Sequence, residues 1–349
     1  MKTRAVLHSL CLATASMLAL ASQAFAQSVE EFYKGKRLSL LIASGPGGGY
    51  DTFGRLMARH IGKHIPGRPN VVPQNMDGAS GLQATNHLAN RADRDGSTIL
   101  ATYNALTIQP MFDKTGVMYD PLTLNWIGSI GKQTNICVTW HTSPIKRLEQ
   151  VKEQEVVVSS TGPTGNSSSL PHIFNNLLGT KFKVLVGYTT AGQRLALENG
   201  EVGGICGLSY STLMASNPDW ILGKKLNILA QFGNEKLAEL PDVPLAIDFI
   251  TDPNDKKILE LLAAPQEMGR PFVAPPDVPA DRVQALRRAF DATLRDPEYI
   301  AESKKAMLDI EPMTGEQIEA LIKKTYATPK AIVDKAAALT TNIPVEQKK

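Results

Sequence analysis

Short apolar runs and amphipathic stretches alternate along almost the whole chain. Residues 37–43, Arg-Leu-Ser-Leu-Leu-Ile-Ala, are apolar enough for a buried strand. Residues 52–65 follow helical spacing, with Phe53, Leu56, Met57, His60 and Ile61 on one face. Residues 71–75 predict a short second strand, 81–90 a helix and 98–102 a third strand. This alternation predicts an α/β unit built on a mostly parallel sheet.

The pattern then restarts. Residues 135–140 read as a strand and 148–153 as a short helix. A second α/β unit opens with a strand at 155–159, a helix at 170–178 and a strand at 182–186. A helix at 193–199 and strands at 202–206 and 226–231 complete it. The last third is helical: residues 281–294 carry an apolar stripe, and Thr314 with Gln317 three residues on predicts a capping-box start to a helix running towards Tyr326. Pro329 interrupts, and 330–339 is the final helix. Two α/β units, with the chain crossing between them and returning, predict a bilobed clamshell: residues 27–128 plus 232–349 in lobe 1, and 129–231 in lobe 2. Ligands bind such sheets beyond the carboxyl ends of the strands, which says where to look for a site.

The first 26 residues are set apart as a signal peptide. Lys2 and Arg4 precede an apolar run from Ala5 to about Leu20, and Ala24-Phe25-Ala26 is the small-x-small pattern of a cleavage site. Export to the periplasm is therefore expected, with no other segment long enough to span a bilayer. Without Lys2 and Arg4 the formal charge of the chain falls from +3 to +1, too balanced for a nucleic-acid partner. Cys137 and Cys206 alone survive cleavage, as one bridge or two buried thiols.

Two loops carry the candidate chemistry. Ser44-Gly45-Pro46-Gly47-Gly48-Gly49-Tyr50-Asp51 joins a strand to a helix. Its glycines let the backbone approach a ligand, the helix start offers unpaired N–H groups to an anion, and Asp51 is expected to cap that helix. No Lys-Ser or Lys-Thr follows, as a nucleotide P-loop requires, and Tyr50 stands where a dinucleotide motif needs its last glycine. An anion site that fits neither motif favours a carboxylate. The second unit repeats the setting in residues 159–169, where Thr161, Gly165, Asn166, Ser167 and Ser168 would grip the other end of a polar ligand. Tyr103 and Asn104 end a strand on the same side, and His172 follows Pro171 at a predicted helix start. His60 and His64 have a metal-ligand spacing but no third ligand near in sequence, so no metal is expected, and no other cofactor. No G-x-S-x-G elbow accompanies the serines, which argues against a hydrolase.

These segments, taken in order, resemble the Bug receptors, the substrate-binding components of tripartite tricarboxylate transporters. The strand–Pro-Gly-Gly-Gly-x-Asp–helix segment is similar to their first ligand loop, and Gly78-Ala79-Ser80-Gly81 to their second glycine motif. Residues 95–100 (Asp-Gly-Ser-Thr-Ile-Leu), the lengthened loop from Ser159 to His172, Leu240-Pro241-Asp242-Val243-Pro244 and Phe272-Val273-Ala274-Pro275-Pro276 extend the likeness over nearly the whole mature chain. Departures fall at Val202-Gly203 and at Gly187-Tyr188-Thr189-Thr190-Ala191-Gly192, where the family often has Val-Asp and Pro-Tyr-Lys-Gly. Tyr188 and Thr189 thus join the candidate ligand contacts. The region 119–124 is also less typical.

The resemblance implies a two-lobed periplasmic-binding-protein (Venus flytrap) fold, type II-like. It also implies a carboxylate held by main-chain N–H groups and ordered water, and delivery to one large and one small membrane subunit. The receptor is expected to act as a monomer and to catalyse nothing. Presentation of the ligand to a sensor kinase is the alternative role, and an exported α/β enzyme a third. In a two-lobed architecture the strand entering lobe 2 lies antiparallel to a later strand, which would bring Cys137 and Cys206 together. A one-residue slip would send them to opposite faces.

Overall fold

The computed structural model describes residues 27–340, apart from Gly48, residues 163–165, Met307 and Asp309, together with the backbone of Glu346 and Gln347. The expected signal segment, residues 1–26, lies outside the described residues. The strands among them are β1 Arg37–Ile42, β2 Asn70–Asn75, β3 Thr98–Ala101, β4 Asn125–Ser129, β5 Asn135–Trp140, β6 Val156–Ser160, β7 Phe182–Val186, β8 Gly204–Ser209, β9 Leu226–Phe232, β10 Pro271–Ala274, β11 Met313–Thr314 and β12 Glu346–Gln347.

They form two mixed six-stranded sheets. The first runs β11-β4-β10-β3-β1-β2, with β1 parallel to β2 and β3, and β10 antiparallel to β3 and β4. The second runs β12-β7-β6-β8-β5-β9, with β6 parallel to β7 and β8, and β5 antiparallel to β8 and β9. Side chains alternate faces along a strand, and helices cover both faces of each sheet. In β1, Leu38, Leu40 and Ile42 enter one core with Phe53, Leu56, Met57 and Phe290. Leu41, with Ala43 just beyond, enters the opposite core with Leu88, Ile318 and Ile322. In β6, Val156 and Val158 pack with Ile173 and Phe174, while Val157 meets the Trp220 cluster on the other face.

The chain passes to the second sheet between β4 and β5 and returns from β9 to β10. The helices Ala280–Leu294 and Gly315–Tyr326 pack on β4 of the first sheet. The helices Pro253–Ala263 and Lys330–Thr340 do not stay there. They pack on each other and share the second core through Ile258, Leu259, Leu262, Ile332 and Ala336. Sequence order had kept all of 232–349 with the first lobe, but periodicity shows that a helix has an apolar face and not which sheet covers it.

Helix starts follow local hydrogen bonding. Both halves of the Thr314 capping box form, with the Gln317 N–H donating to Thr314 Oγ1 at 3.3 Å and the Thr314 N–H to Gln317 Oε1 at 2.8 Å. The helix expected at residue 170 begins at Asn166, which leaves Pro171 inside it and removes His172 from the helix start. The earlier start is fixed by hydroxyls: Ser160 and Ser167 Oγ lie 2.9 Å apart, and Ser168 Oγ donates to Gly162 O at 2.6 Å.

Cys137 and Cys206 form a disulfide, with Cα atoms 3.9 Å apart. Ile136 pairs with Leu208, and Val138 with Ile205. Cys137 alone therefore faces two residues of β8, Cys206 and Gly207, which is a β-bulge. The extra residue sets the register that turns both thiols to one face. Gly207 is its left-handed member, at φ +75°. A Cβ there would stand 2.5 Å from the backbone of Asn166, so the bulge also seats the start of the Asn166–Leu178 helix.

Candidate functional site

The glycine-rich loop lies where β1 passes into the helix Gly49–Ile61. Asp51 is the third residue of that helix and does not cap it from outside. Its side chain folds back: Oδ2 accepts the Gly47 N–H at 2.8 Å, and Oδ1 accepts Asn75 Nδ2 and Arg55 Nε, each at 2.8 Å. Burial would raise the Asp51 pKa, but these donors outweigh it and hold the carboxyl below its ordinary value. Asn75 also donates to Ser44 O at 2.8 Å, tying the loop to the end of β2. Gly47 sits at φ +81°. Pro46 is exposed, and Ser44 is buried beneath it. Gly48 lies outside the described residues.

Tyr50 turns into the interior. Its hydroxyl donates to Gly269 O at 2.9 Å and accepts the Asn104 N–H at 3.3 Å, with Gln133 Oε1 3.3 Å away. Burial raises its pKa. The Tyr103 ring packs on Tyr50 at 4.3 Å between centroids, and burial pushes the Tyr103 phenol up to about 12. The Asn104 amide donates to Pro265 O at 2.9 Å. Tyr50, Tyr103 and Asn104 are thus brought together with the loop, beside the crossing segments.

The second expected loop is turned on itself. Ser167 and Ser168 hydrogen-bond to Ser160, and the Thr161 N–H donates to Ser167 Oγ at 3.4 Å. Asn166 abuts Gly207. Gly165 lies outside the described residues. Tyr188 is buried, and its hydroxyl donates to Glu201 at 2.7 Å. Thr189 caps the helix Thr190–Glu198 by accepting the Gly192 N–H at 3.0 Å. His172 is buried, its Nε2 has no hydrogen-bond partner among the described residues, and burial lowers its pKa.

The segment of the second lobe that meets the glycine loop is one the sequence reading passed over. At the end of β8, Ser209 caps a short helix, Tyr210–Ser216. A Cβ built on Gly49 would lie 2.9 Å from Thr212 Oγ1. Arg270, at the edge of β10, enters this junction. Its Nη2 donates to Ser211 Oγ and Thr212 Oγ1, each at 3.3 Å, and its Nη1 to Gln133 Oε1. The guanidinium lies over the rings of Tyr50 (5.0 Å) and Phe53 (4.6 Å). Arg270 is 3% exposed, and among the described residues its Nε has no partner and no carboxylate forms an ion pair with it. Burial lowers its pKa. The residue stays charged, because the guanidinium does not deprotonate in proteins. The only sequence signal was a cation in Gly269-Arg270-Pro271, immediately before an apolar run.

Elsewhere, His60 and His64 meet acids brought from far along the chain. His60 Nε2 lies 2.7 Å from Glu302 and His64 Nε2 2.8 Å from Asp296. His60, Asp296 and Glu298 are close enough together to share an ion. Lys63 already supplies the positive charge, 2.6 Å from both Asp296 and Glu298, and draws the Asp296 carboxyl well below its ordinary range.

Two mixed α/β sheets joined by crossing segments, with a cation and a helix start at their junction, define a two-lobed solute-binding protein. Residues 55–338 match the family described as "Tripartite tricarboxylate transporter family receptor", and the chain belongs to that family. A curated relative from Agrobacterium vitis, "UPF0065 protein in the TAR-I ttuE-ttuC' intergenic region", is 25% identical over 303 residues, covering 83% of this chain and 79% of its own. The periplasmic binding protein BugD superposes with a TM-score of 0.65 at 21% identity, over 90% of this chain and 100% of its own. A Rhodopseudomonas palustris protein solved with adipate, Rpa4515, superposes with a TM-score of 0.65 at 16% identity, over 87% and 97%. Family and fold are those of periplasmic solute-binding receptors. No described helix is long and apolar enough to cross a membrane.

Proposed function

We propose that this protein is the extracytoplasmic receptor of a tripartite tricarboxylate-type transporter. It captures a small organic carboxylate between its lobes and delivers it to a membrane assembly of one large and one small subunit. The observation that carries this reading is the junction of Gly49, Arg270 and Thr212. There the start of a long helix and a buried cation of one lobe face hydroxyls of the other, beyond the ends of β1 and β8. The adipate bound by the R. palustris relative fits the same ligand class. Binding requires no catalytic group. The lobes close because the ligand binds the closed state more tightly than the open one. The receptor acts as a monomer.

The test is mass spectrometry of small molecules released from the purified protein, followed by calorimetry with the one identified. A single organic acid, rebinding at one per chain, is expected. A neutral ligand, or no binding by any carboxylate, would refute the reading.

A further inference from the structure

A guanidinium held inside a protein needs a partner. Burying an isolated ion is costly, and proteins almost always offset that cost with an opposite charge or a full set of hydrogen bonds. Among the described residues Arg270 has neither in full: its two aromatic neighbours give it weak electron-rich faces, its four acceptors (Gln133, Ser211, Thr212 and the Gly269 carbonyl) are all neutral, and its Nε has none. The other buried arginine among the described residues is matched: Arg287 pairs with Glu316 and Glu319. Arg270 is further distinguished by position. It spans the two lobes, bonded to Gln133 on the crossing segment and to Ser211 and Thr212 beyond it, with Nη2 3.8 Å from the Cβ position of Gly49.

We infer that Arg270 is the charge partner of the ligand. One carboxylate of the bound acid supplies the missing counter-ion, between the start of the Gly49–Ile61 helix and the hydroxyls of Ser211 and Thr212. This rests on the carboxylate-receptor reading above and adds to it the residue that selects for charge. The ligand class follows: an acid with an ionised carboxylate at one end, in preference to its amide or ester. The bonds from Arg270 to Ser211 and Thr212 are then exchanged in part for bonds to the ligand. The same residue that reads the charge reports it to both lobes.

The experiment compares matched pairs, adipate with its monoamide and benzoate with benzamide, on the full mature receptor and on Arg270→Gln. Wild type should prefer the acid over the amide on the order of 100-fold, and Arg270→Gln should bring that preference to within a few-fold. A residue that merely braced the fold would weaken acid and amide alike. Arg270→Met, which removes the charge while keeping an apolar stem, should behave as Arg270→Gln does, with an unliganded melting temperature no lower than wild type. An unchanged acid preference in a folded variant would overturn the assignment and leave the receptor reading standing. Failure of both variants to fold would overturn it too, by making the guanidinium structural. No carboxylate binding by wild type would overturn both.

Discussion

Reduction of the Cys137–Cys206 disulfide should destabilise the second lobe strongly. The bond closes a loop of 69 residues that contains β6, β7 and the first half of β8. In the chain-entropy account, cross-linking a loop of that length limits the unfolded ensemble by about 4.4 kcal/mol at 25 °C. Both sulfurs are buried against Leu229 and Ala230, so reduction leaves two thiols in the same cluster and isolates the loop term from any loss of packing. Unfolding in urea, with and without reductant, can be followed by the fluorescence of Trp140 and Trp220, whose rings meet edge-to-face in the second lobe with centroids 5.0 Å apart. With a slope of about 2 kcal/mol/M for a lobe of this size, the midpoint should fall by about 2 M on reduction. Coincident curves, or two labelled thiols per chain in denatured, unreduced protein, would refute the reasoning.

Three more expectations bear on the site. Gly207→Ala forces a side chain into a left-handed position and against the Asn166 backbone, so it should lower stability by at least about 2 kcal/mol in the same urea assay; a neutral effect would mean that the bulge does not seat that helix. Asp51→Asn removes the charge that pins the glycine loop and should weaken ligand binding by about 10-fold in calorimetry. The Asp51 pKa is depressed in the folded state, so its contribution is present above its unfolded value of about 3.9 and is lost as pH falls through and below it; the stability of Asp51→Asn should therefore fall less steeply than wild type below about pH 4. Gly49→Val places atoms where Thr212 approaches and should reduce affinity about 10-fold or more while the urea midpoint of the second lobe stays put.

The fold was legible because its signals are local. The apolar runs of β1, β5 and β7, the helical stripe after the glycines and the Thr314–Gln317 capping box all lie within a few residues of the elements they define. The ordered glycine and Leu-Pro-Asp-Val-Pro segments named the family that the match over 55–338 bears out. What was not legible depends on distance along the chain. No pattern near residue 270 says that its guanidinium ends between Gln133 and Thr212, or that Asp51 turns back to Gly47. The cysteine pairing rests on a bulge, which one residue more or less in β8 would undo. The hydroxyls after β6 read as ligand contacts because they cluster in sequence; that Ser167 and Ser168 also bond back to Ser160 depends on how the loop folds and is not visible there.

The most direct test of a receptor that closes over a carboxylate is the radius of gyration in solution as its own ligand is removed and returned. Protein stripped of ligand by partial unfolding and refolding should scatter as an open form. Adding back the organic acid identified from the purified protein should contract it, saturating at one ligand per chain with the same midpoint as calorimetry. The scattering profile should not change with the corresponding amide at the same concentration. An identical radius with and without saturating acid would contradict closure on the ligand, and equal contraction by acid and amide would contradict recognition of the carboxylate.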